Sequence, residues 1–443
     1  MEKENYFVAV IGAGPAGLYT AKKLAQAGAK VVIFNRDIKP GGLAEYGIYH
    51  TKYRMKAGLR KQFQKILAEE NITYYGNVRV GDEGDLCLDD VRQLGFQAIV
   101  VTVGAQGTKW LGLPGEDLKG VFHAKDLVYH YNKLPPFSQR EFAIGKRVAL
   151  IGVGNVMIDI AHWMIRDKRV DEVIAVARRG PAEVKFDRKE LENVAHNLDL
   201  EALDAEIERV ADRMSAVDQS PQDAKEFILS ALPKAKEPVS ETRFRFEFLS
   251  SPKQMLGDEN GNLMGLEIDD TELLPRNGDT KAQRLGSTRV LDVDTVVFCI
   301  GDKVDESFGL PIQWNAFVKH PSPRYPVNDL SYEVFDPKTE KPIDGVFVAG
   351  WSREASSGLV GYARKDGEIG AEAVLQYLDT LPAPEDAKSY LQAVAEMMAG
   401  LPHPVVDKSG ITRLIEIEGA QAEAQGLEDF KFDTNQEMLA ALG

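Results

Sequence analysis

The sequence predicts an α/β fold of two parallel-sheet domains, one inserted in the other. Three observations point to it. Two glycine-rich turns, Gly12-Ala13-Gly14-Pro15-Ala16-Gly17 and Gly152-Val153-Gly154-Asn155-Val156-Met157, each follow a short apolar run and lead into a stretch of helical composition. Gly12 and Gly152 stand 140 positions apart, so each heads a unit of its own. Three further apolar runs end in glycine, at Ile99–Ala105, Thr295–Gly301 and Asp344–Trp351. The first two stand where a chain would cross between two such units.

In chain order, Tyr6–Ile11 reads as a buried parallel strand, Leu18–Ala27 as a helix stopped by Gly28, and Lys30–Phe34 as the next strand. Lys146–Ile151, Ile158–Arg166 and Glu172–Ala177 repeat that strand, helix, strand layout. Leu198–Lys236 is polar and acidic, and reads as an exposed helical insertion. Gly257–Asn262 is a turn between strands, and the proline-rich Pro311–Pro342 a connecting loop. From Glu416 to Gly443 acids outnumber bases seven to one, which reads as a solvated, partly helical tail. The expected domains are 1–105 and 302–443, forming one discontinuous unit, and 106–301, inserted in it.

The chain has 443 residues, with 53 Lys and Arg against 68 Asp and Glu, a net charge of −15. An acidic surface of this size repels phosphate-rich partners and argues against a general nucleic-acid or membrane binder. Cys87 and Cys299 are the two cysteines. They form neither a disulfide framework nor a Cys-x-x-Cys motif, and cannot hold a four-cysteine metal or iron–sulfur site. The seven histidines show no metal-ligand spacing, so no metal is expected. Low cysteine use and an opening apolar run too short for a signal peptide suggest a cytoplasmic protein. The most apolar long stretch, Val148–Ile165, carries Asn155, Asp159 and His162 and is too polar to span a bilayer unaided.

A strand–GxGxxG–helix turn lets the backbone approach a pyrophosphate, while the following helix points free N–H groups at the charge. Two such turns predict two Rossmann-like domains and two dinucleotides. After the first unit's second strand stands Asn35, where an acid usually accepts from a ribose; Asn35 can make one such bond. After the second unit's second strand stand Arg178 and Arg179, whose guanidinium groups match a 2′-phosphate and favour NADP over NAD. Met157 occupies the third, normally small, position of the second turn.

Together these motifs resemble the adrenodoxin reductase family, the mitochondrial-type ferredoxin–NADP⁺ reductases, over nearly the whole chain. Gly12-x-Gly14-Pro15-Ala16-Gly17-x-Tyr19-Thr20 is similar to that family's FAD turn. Gly42-Leu43 through Ile48 resembles its flavin-side loop, and Gly152-x-Gly154-Asn155-Val156-x-x-Asp159 its NADP turn. Ala177-Arg178-Arg179-Gly180-Pro181 through Phe186 and Lys189-Glu190-Leu191 is the most specific block. Gly350-Trp351, with Gly358, Leu359 and Val360 after it, resembles the loop beside the flavin ring. The resemblance implies an enzyme that takes electrons from NADPH into FAD and hands them singly to a ferredoxin-like iron–sulfur protein. It implies FAD contacts at the first turn, Asn35, Gly42, Leu43, Gly104, Gly350, Trp351, Gly358, Leu359 and Val360. NADPH contacts are implied at Gly152, Gly154, Asn155, Val156, Arg178, Arg179 and Glu190. Trp351, Glu190 and His50 are its candidates beside the reacting rings. Two stretches depart from the family. The usual Gly-Val-Ala-Pro-Asp-His run is Gly47-Ile48-Tyr49-His50-Thr51-Lys52, which puts His50 two residues early. The run after the tryptophan is Arg353-Glu354-Ala355-Ser356-Ser357-Gly358.

Lys52, Arg54, Lys56, Arg60, Lys61 and Lys65 fall in one acid-free stretch. It reads either as a solvated helix face or as a docking surface for an acidic ferredoxin. Two other functions stay open. One is an electron-input module like the small subunit of glutamate synthase, which usually brings cysteine-rich segments absent here. The other is a nucleotide-binding redox sensor with little turnover.

Overall fold

Phe7–Ile11 is Phe-Val-Ala-Val-Ile, buried at every residue. An all-apolar strand of that kind suits the middle of a parallel sheet covered on both faces. The computed structural model, which describes residues 6–355, 360–382, 384 and 387–443, places it there. Lys30–Asn35 and Ala98–Val101 flank it in parallel. Ile72–Gly76 extends the sheet on one side and Lys341–Val348 on the other, both parallel. Glu333–Asp336 closes the edge, antiparallel to Lys341–Val348. Side chains alternate across this sheet. Val8, Val10, Val31 and Ile33 join one apolar cluster, and Phe7, Ala9, Ile11, Val32 and Phe34 the other.

The chain forms two compact units. The first comprises Met1–Thr108, Tyr129–Gln139 and Gly301–Gly443 and contains the sheet just described; the second comprises Lys109–Val128 and Arg140–Ile300. The sequence-based division placed 106–301 in one domain, whereas Tyr129–Gln139 packs with the first unit. The second unit has a five-stranded parallel sheet in the order Val121–His123, Thr295–Phe298, Arg147–Ile151, Glu172–Val176, Arg243–Glu247. A three-stranded antiparallel sheet, Ser250–Gly257, Leu263–Arg276 and Asp279–Leu291, belongs to the same unit. The turn expected at Gly257–Asn262 joins its first two strands.

Three expectations are corrected. The Leu198–Lys236 segment is helical, at Leu200–Ser215 and Pro221–Leu229, but not simply exposed. Leu203, Ile207, Val210 and Met214 recur at helical spacing and are buried, an apolar stripe masked by the acids between them. Pro311–Pro342 is not all loop: Ile312–Gln313 pairs with Ala316–Phe317, and Glu333–Asp336 is the edge strand. The acidic tail is anchored by helices Lys408–Gln425 and Asn435–Leu442, and Lys431 between them is buried. Among the described residues no helix is long and apolar enough to cross a membrane.

Candidate functional site: two glycine turns at parallel-sheet edges

In the first unit the strand order reverses between Phe7–Ile11 and Ala98–Val101, and open parallel sheets bind ligands at the carboxyl ends of strands at such a point. Gly12 follows Ile11 there. Its φ is +103°, and a Cβ on it would come within 2.7 Å of the Thr102 carbonyl oxygen, so the turn is packed from below. Gly14 is the reverse case: a Cβ there would meet nothing within 4 Å. The open space beside the half-buried Gly14 leaves room for a ligand. At Gly17 a Cβ would lie 2.0 Å from the Gly12 carbonyl oxygen, so only glycine lets the helix sit this close to the strand. Helix Pro15–Gln26 begins three residues earlier than expected, because proline at its first position lacks only an N–H that no helical carbonyl would accept. Its N-terminus has no side-chain cap and no acid in the first turn, which leaves its N–H groups and positive dipole end for an anion.

Other candidate residues meet at this turn. A Cβ on Gly42 would stand 3.2 Å from the Gly14 Cα, and the Gly41 N–H donates to the Ala13 carbonyl at 2.7 Å. A Cβ on Gly350 would stand 2.5 Å from the Ala16 Cβ. The Gly104 N–H donates to Ser352 Oγ at 3.0 Å, which joins the end of the Ala98–Val101 strand to the Gly350–Ser352 turn. Trp351 is half-buried in that turn. Leu43 packs with Tyr46, Tyr129, Leu134 and Phe137. His50 lies in an aromatic cluster, its ring centroid 4.6 Å from Tyr49 and 5.8 Å from Tyr131. Val360 begins helix Val360–Leu378; Gly358 and Leu359 lie outside the described residues.

Asn35, the residue expected to meet a ribose, has a structural role at this turn. Its Oδ1 accepts the Ala13 N–H at 2.9 Å, and its Nδ2 faces the Asp37 and Lys39 carbonyls and the Tyr74 hydroxyl at 2.8, 3.1 and 3.2 Å. The buried amide ties the glycine turn to the Asp37–Lys39 loop. An acid could accept from Ala13 but could not donate to those carbonyls, and this is the physical reason for the departure.

Sequence reasoning missed two buried charge clusters. Asp366 accepts from the Gly350 N–H at 2.6 Å, from the Tyr332 hydroxyl at 3.0 Å and from the Arg353 guanidinium at 2.6 Å. The second cluster centres on Glu45, which takes a bidentate pair from Arg60 with both contacts at 2.7 Å and contacts Lys431 at 2.9 Å and Lys39 at 3.4 Å. Burial opposes ionisation of Glu45, but Lys39, Lys431 and Arg60 hold its carboxyl well below the usual range. Arg60 also reaches Asp429 at 2.6 Å, and Lys39 pairs with Glu418. Lys56 is 1% exposed and donates to Asn132 Oδ1. The six-cation surface therefore loses two members: Lys56 and Arg60 face the interior, while Arg54, Lys61 and Lys65 are exposed and Lys52 half-exposed.

The second unit repeats the turn. Gly152 has φ +122°, and a Cβ there would lie 2.5 Å from the Cys299 carbonyl oxygen; a Cβ on Gly154 would meet nothing within 4 Å. Helix Asn155–Trp163 likewise has no side-chain cap and no acid in its first turn. Met157 is fully buried, so this helix packs through a side chain where the first packs through glycine. Val156 is exposed. Asn155 exchanges hydrogen bonds with Asp187, donating to its Oδ2 at 2.9 Å and accepting its N–H at 2.7 Å. That pair fixes the short Arg188–Leu191 helix, which carries Glu190, beside the turn. Arg178 and Arg179 end the Glu172–Val176 strand region; Arg178 is exposed and Arg179 partly so. At both turns the residues fit a dinucleotide: an open backbone cradle beneath an uncapped helix, with two guanidinium groups at the second. Among the described residues no group of three or more His, Cys, Asp or Glu side chains could hold a metal ion.

Residues 6–226 match the family described as pyridine nucleotide-disulphide oxidoreductase. The chain is 25% identical to the NADPH-ferredoxin reductase FprA of Mycobacterium leprae over 98% of both chains. It is 27% identical to the mitochondrial NADPH:adrenodoxin oxidoreductase of Arabidopsis thaliana, over 80% of this chain and 78% of that one. Among solved structures, a His57Gln mutant of FprA from Mycobacterium tuberculosis superposes with a TM-score of 0.81 at 23% identity, covering 99% of this chain and 100% of that one.

Proposed function

The chain is a diverged member of the adrenodoxin reductase family, and from that premise we propose that it is an NADPH oxidoreductase passing electrons through FAD to a ferredoxin-like iron–sulfur protein. Its cofactors are FAD and NADPH. The observation that carries the reading is the pair of open cradles at Gly14 and Gly154, the second with two guanidinium groups at the end of the neighbouring strand.

FAD, when bound, would supply the redox chemistry, two-electron exchange with NADPH and one-electron exchange with the acceptor. The chain binds and orients. Gly12, Gly14, Pro15, Ala16 and Gly17 hold the FAD pyrophosphate, with Gly42 and Leu43 against the turn. Gly104, Gly350 and Trp351 form the wall of that site, and Asn35 supports it through Ala13. Gly152, Gly154, Asn155 and Val156 hold the NADPH pyrophosphate, and Arg178 and Arg179 its 2′-phosphate. Glu190 is held beside that turn, where it can meet the nicotinamide half. We place the protein in the cytoplasm, in keeping with its low cysteine use.

The test is direct. The purified protein is expected to be yellow and to release about one FAD per chain on denaturation. Anaerobic NADPH bleaches the flavin, and an added low-potential ferredoxin then supports cytochrome c reduction. A colourless protein that FAD cannot reconstitute removes the reading. Full flavin reduction without transfer to any ferredoxin removes the acceptor alone.

A further inference from the structure

The Leu263–Arg276 and Asp279–Leu291 strands form a long hairpin whose tip returns to Arg178 and Arg179. Those two arginines and the tip residues Arg276, Asn277, Asp279, Thr280 and Lys281 line one open cleft of roughly 440 Å³. The hairpin is fastened there at two points. Midway along it, Thr271 Oγ1 donates to the Arg178 carbonyl at 2.7 Å, and Arg213 donates to the Thr271 carbonyl at 2.8 Å. Near its tip, Arg179 pairs with Asp279 at 3.2 Å, and Thr280 donates to Glu183. Arg179 also lies 3.6 Å from Glu183.

The cleft thus gathers four cations in a chain of net charge −15. Arg178, Arg276 and Lys281 have no ion-pair partner among the described residues, and Asp279 is the one acid lining the cleft. Solvated lysines and arginines usually disperse, because like charges repel. Here the hairpin fastenings bring Arg276 and Lys281 into the lining of the cleft that Arg178 and Arg179 share, an arrangement that becomes favourable once a dianion enters.

We propose that the hairpin tip is the outer half of the adenosine 2′-phosphate site, with Arg276 and Lys281 as specificity-determining ligands facing Arg178 and Arg179. This deepens the NADPH reading and rests on it. The guanidinium of Arg276 can take two phosphate oxygens side by side, while Lys281 supplies a mobile point charge. Asp279 acts as a placeholder counter-ion on Arg179 until phosphate displaces it.

Titration of the flavin-loaded protein with NADP⁺ and, separately, NAD⁺ tests this, with 2′,5′-ADP and 5′-AMP as adenosine-end probes. Arg276→Ala/Lys281→Ala weakens NADP⁺ and 2′,5′-ADP by roughly 10- to 100-fold and leaves NAD⁺ and 5′-AMP unchanged. Arg276→Lys/Lys281→Arg keeps most of the wild-type affinity, so loss of charge is separated from damage to the hairpin. The slope of log affinity against log salt becomes shallower in the double alanine variant. Wild-type NADP⁺ affinity in that variant overturns the hairpin proposal while leaving the arginine reading standing. Equal weakening of NADP⁺ and NAD⁺ also overturns it, since the effect then does not depend on the phosphate. If Arg178→Ala/Arg179→Ala binds NADP⁺ as wild type does, the underlying reading fails and the proposal with it.

Discussion

Asp366 Oδ2 accepts the backbone N–H of Gly350 at 2.6 Å. Through that bond a buried carboxylate sets the turn that presents Trp351. The other oxygen is taken by the Tyr332 hydroxyl and the Arg353 guanidinium, whose charge is itself buried. Removing the carboxylate would strand that guanidinium, and breaking a buried pair from one side costs about 3–5 kcal/mol. Asp366→Ala is therefore expected to lower the thermal midpoint and to release FAD at lower denaturant concentration than wild type. Asp366→Ala/Arg353→Met should recover part of the loss, because no unpaired charge remains. Recovery is read as a non-additive double-mutant cycle in chemical denaturation.

Asn35 gives a second prediction, opposite to what a family pattern suggests. An acid is usual at the end of this strand, yet here the amide nitrogen faces two carbonyls. Asn35→Asp would aim a carboxylate at those oxygens in a buried site. The expected loss is about 2–4 kcal/mol in denaturant unfolding, without tighter FAD binding. Tighter FAD with unchanged stability would mean that the side chain turns outward to the ribose.

The pH dependence of stability centres on Lys56. Burial, with Lys431 and Arg60 nearby and only partial relief from Glu45 and Asp429, lowers its pKa from 10.5 to about 7. A lysine depressed in this way binds its proton more tightly when unfolded. Its contribution is therefore least favourable below about pH 7 and improves as pH rises toward 10.5. Lys56→Met should flatten that rise. The unfolding free energies of the two proteins between pH 6 and 10 would converge with increasing pH, by on the order of a few kcal/mol from end to end. Parallel profiles would show that Lys56 does not titrate in this range.

Much of the scaffold was legible because parallel strands and glycine turns are local signals. Val-Ala-Val-Ile before Gly12 and Val-Ala-Leu-Ile before Gly152 each specify a buried strand and its exit. The destination of a charged side chain is not local. Arg60 and Lys56 look like surface residues in a basic run, and only the chain around Asp429, Asn132 and Glu45 shows that they point inward. Lys431 was unreadable for the same reason: one base in an acidic tail looks solvated, yet it donates to the Glu45 and Asn132 carbonyls at 2.9 and 3.3 Å. The hairpin cations were equally hidden, since Arg276 and Lys281 lie about a hundred residues from the arginines they join.

The tail therefore has a structural consequence. Lys431→Ala leaves Glu45 with less positive charge around it and two buried carbonyls without their donor. The expected cost is about 3–5 kcal/mol, seen as a lower urea midpoint. Glu45 has its pKa held below its unfolded value, so its share of stability is present above that value and is lost as pH falls through the acid range. With Lys431 removed that share shrinks, and the difference between variant and wild type should narrow toward low pH. A difference independent of pH would place the effect in packing rather than charge.

The last prediction concerns the helix face proposed to dock a ferredoxin-like acceptor, which the buried cations redraw. A charge reversal at Lys56 or Arg60 would break interior contacts, and any loss of ferredoxin turnover would then report unfolding. Arg54, Lys61 and Lys65 remain exposed on the Tyr53–Leu67 helix. Steering by such a face raises association rates and is screened by salt. Arg54→Glu/Lys61→Glu/Lys65→Glu is expected to raise the apparent Michaelis constant for an acidic ferredoxin by about 3- to 30-fold at low ionic strength, with the difference shrinking as salt is added. Ferricyanide reduction, which needs no protein docking, should stay within about twofold, and the thermal midpoint should hold because none of the three contacts the Glu45 cluster. A triple variant with wild-type ferredoxin kinetics at low salt would remove this helix face from the docking surface while leaving the reductase chemistry intact.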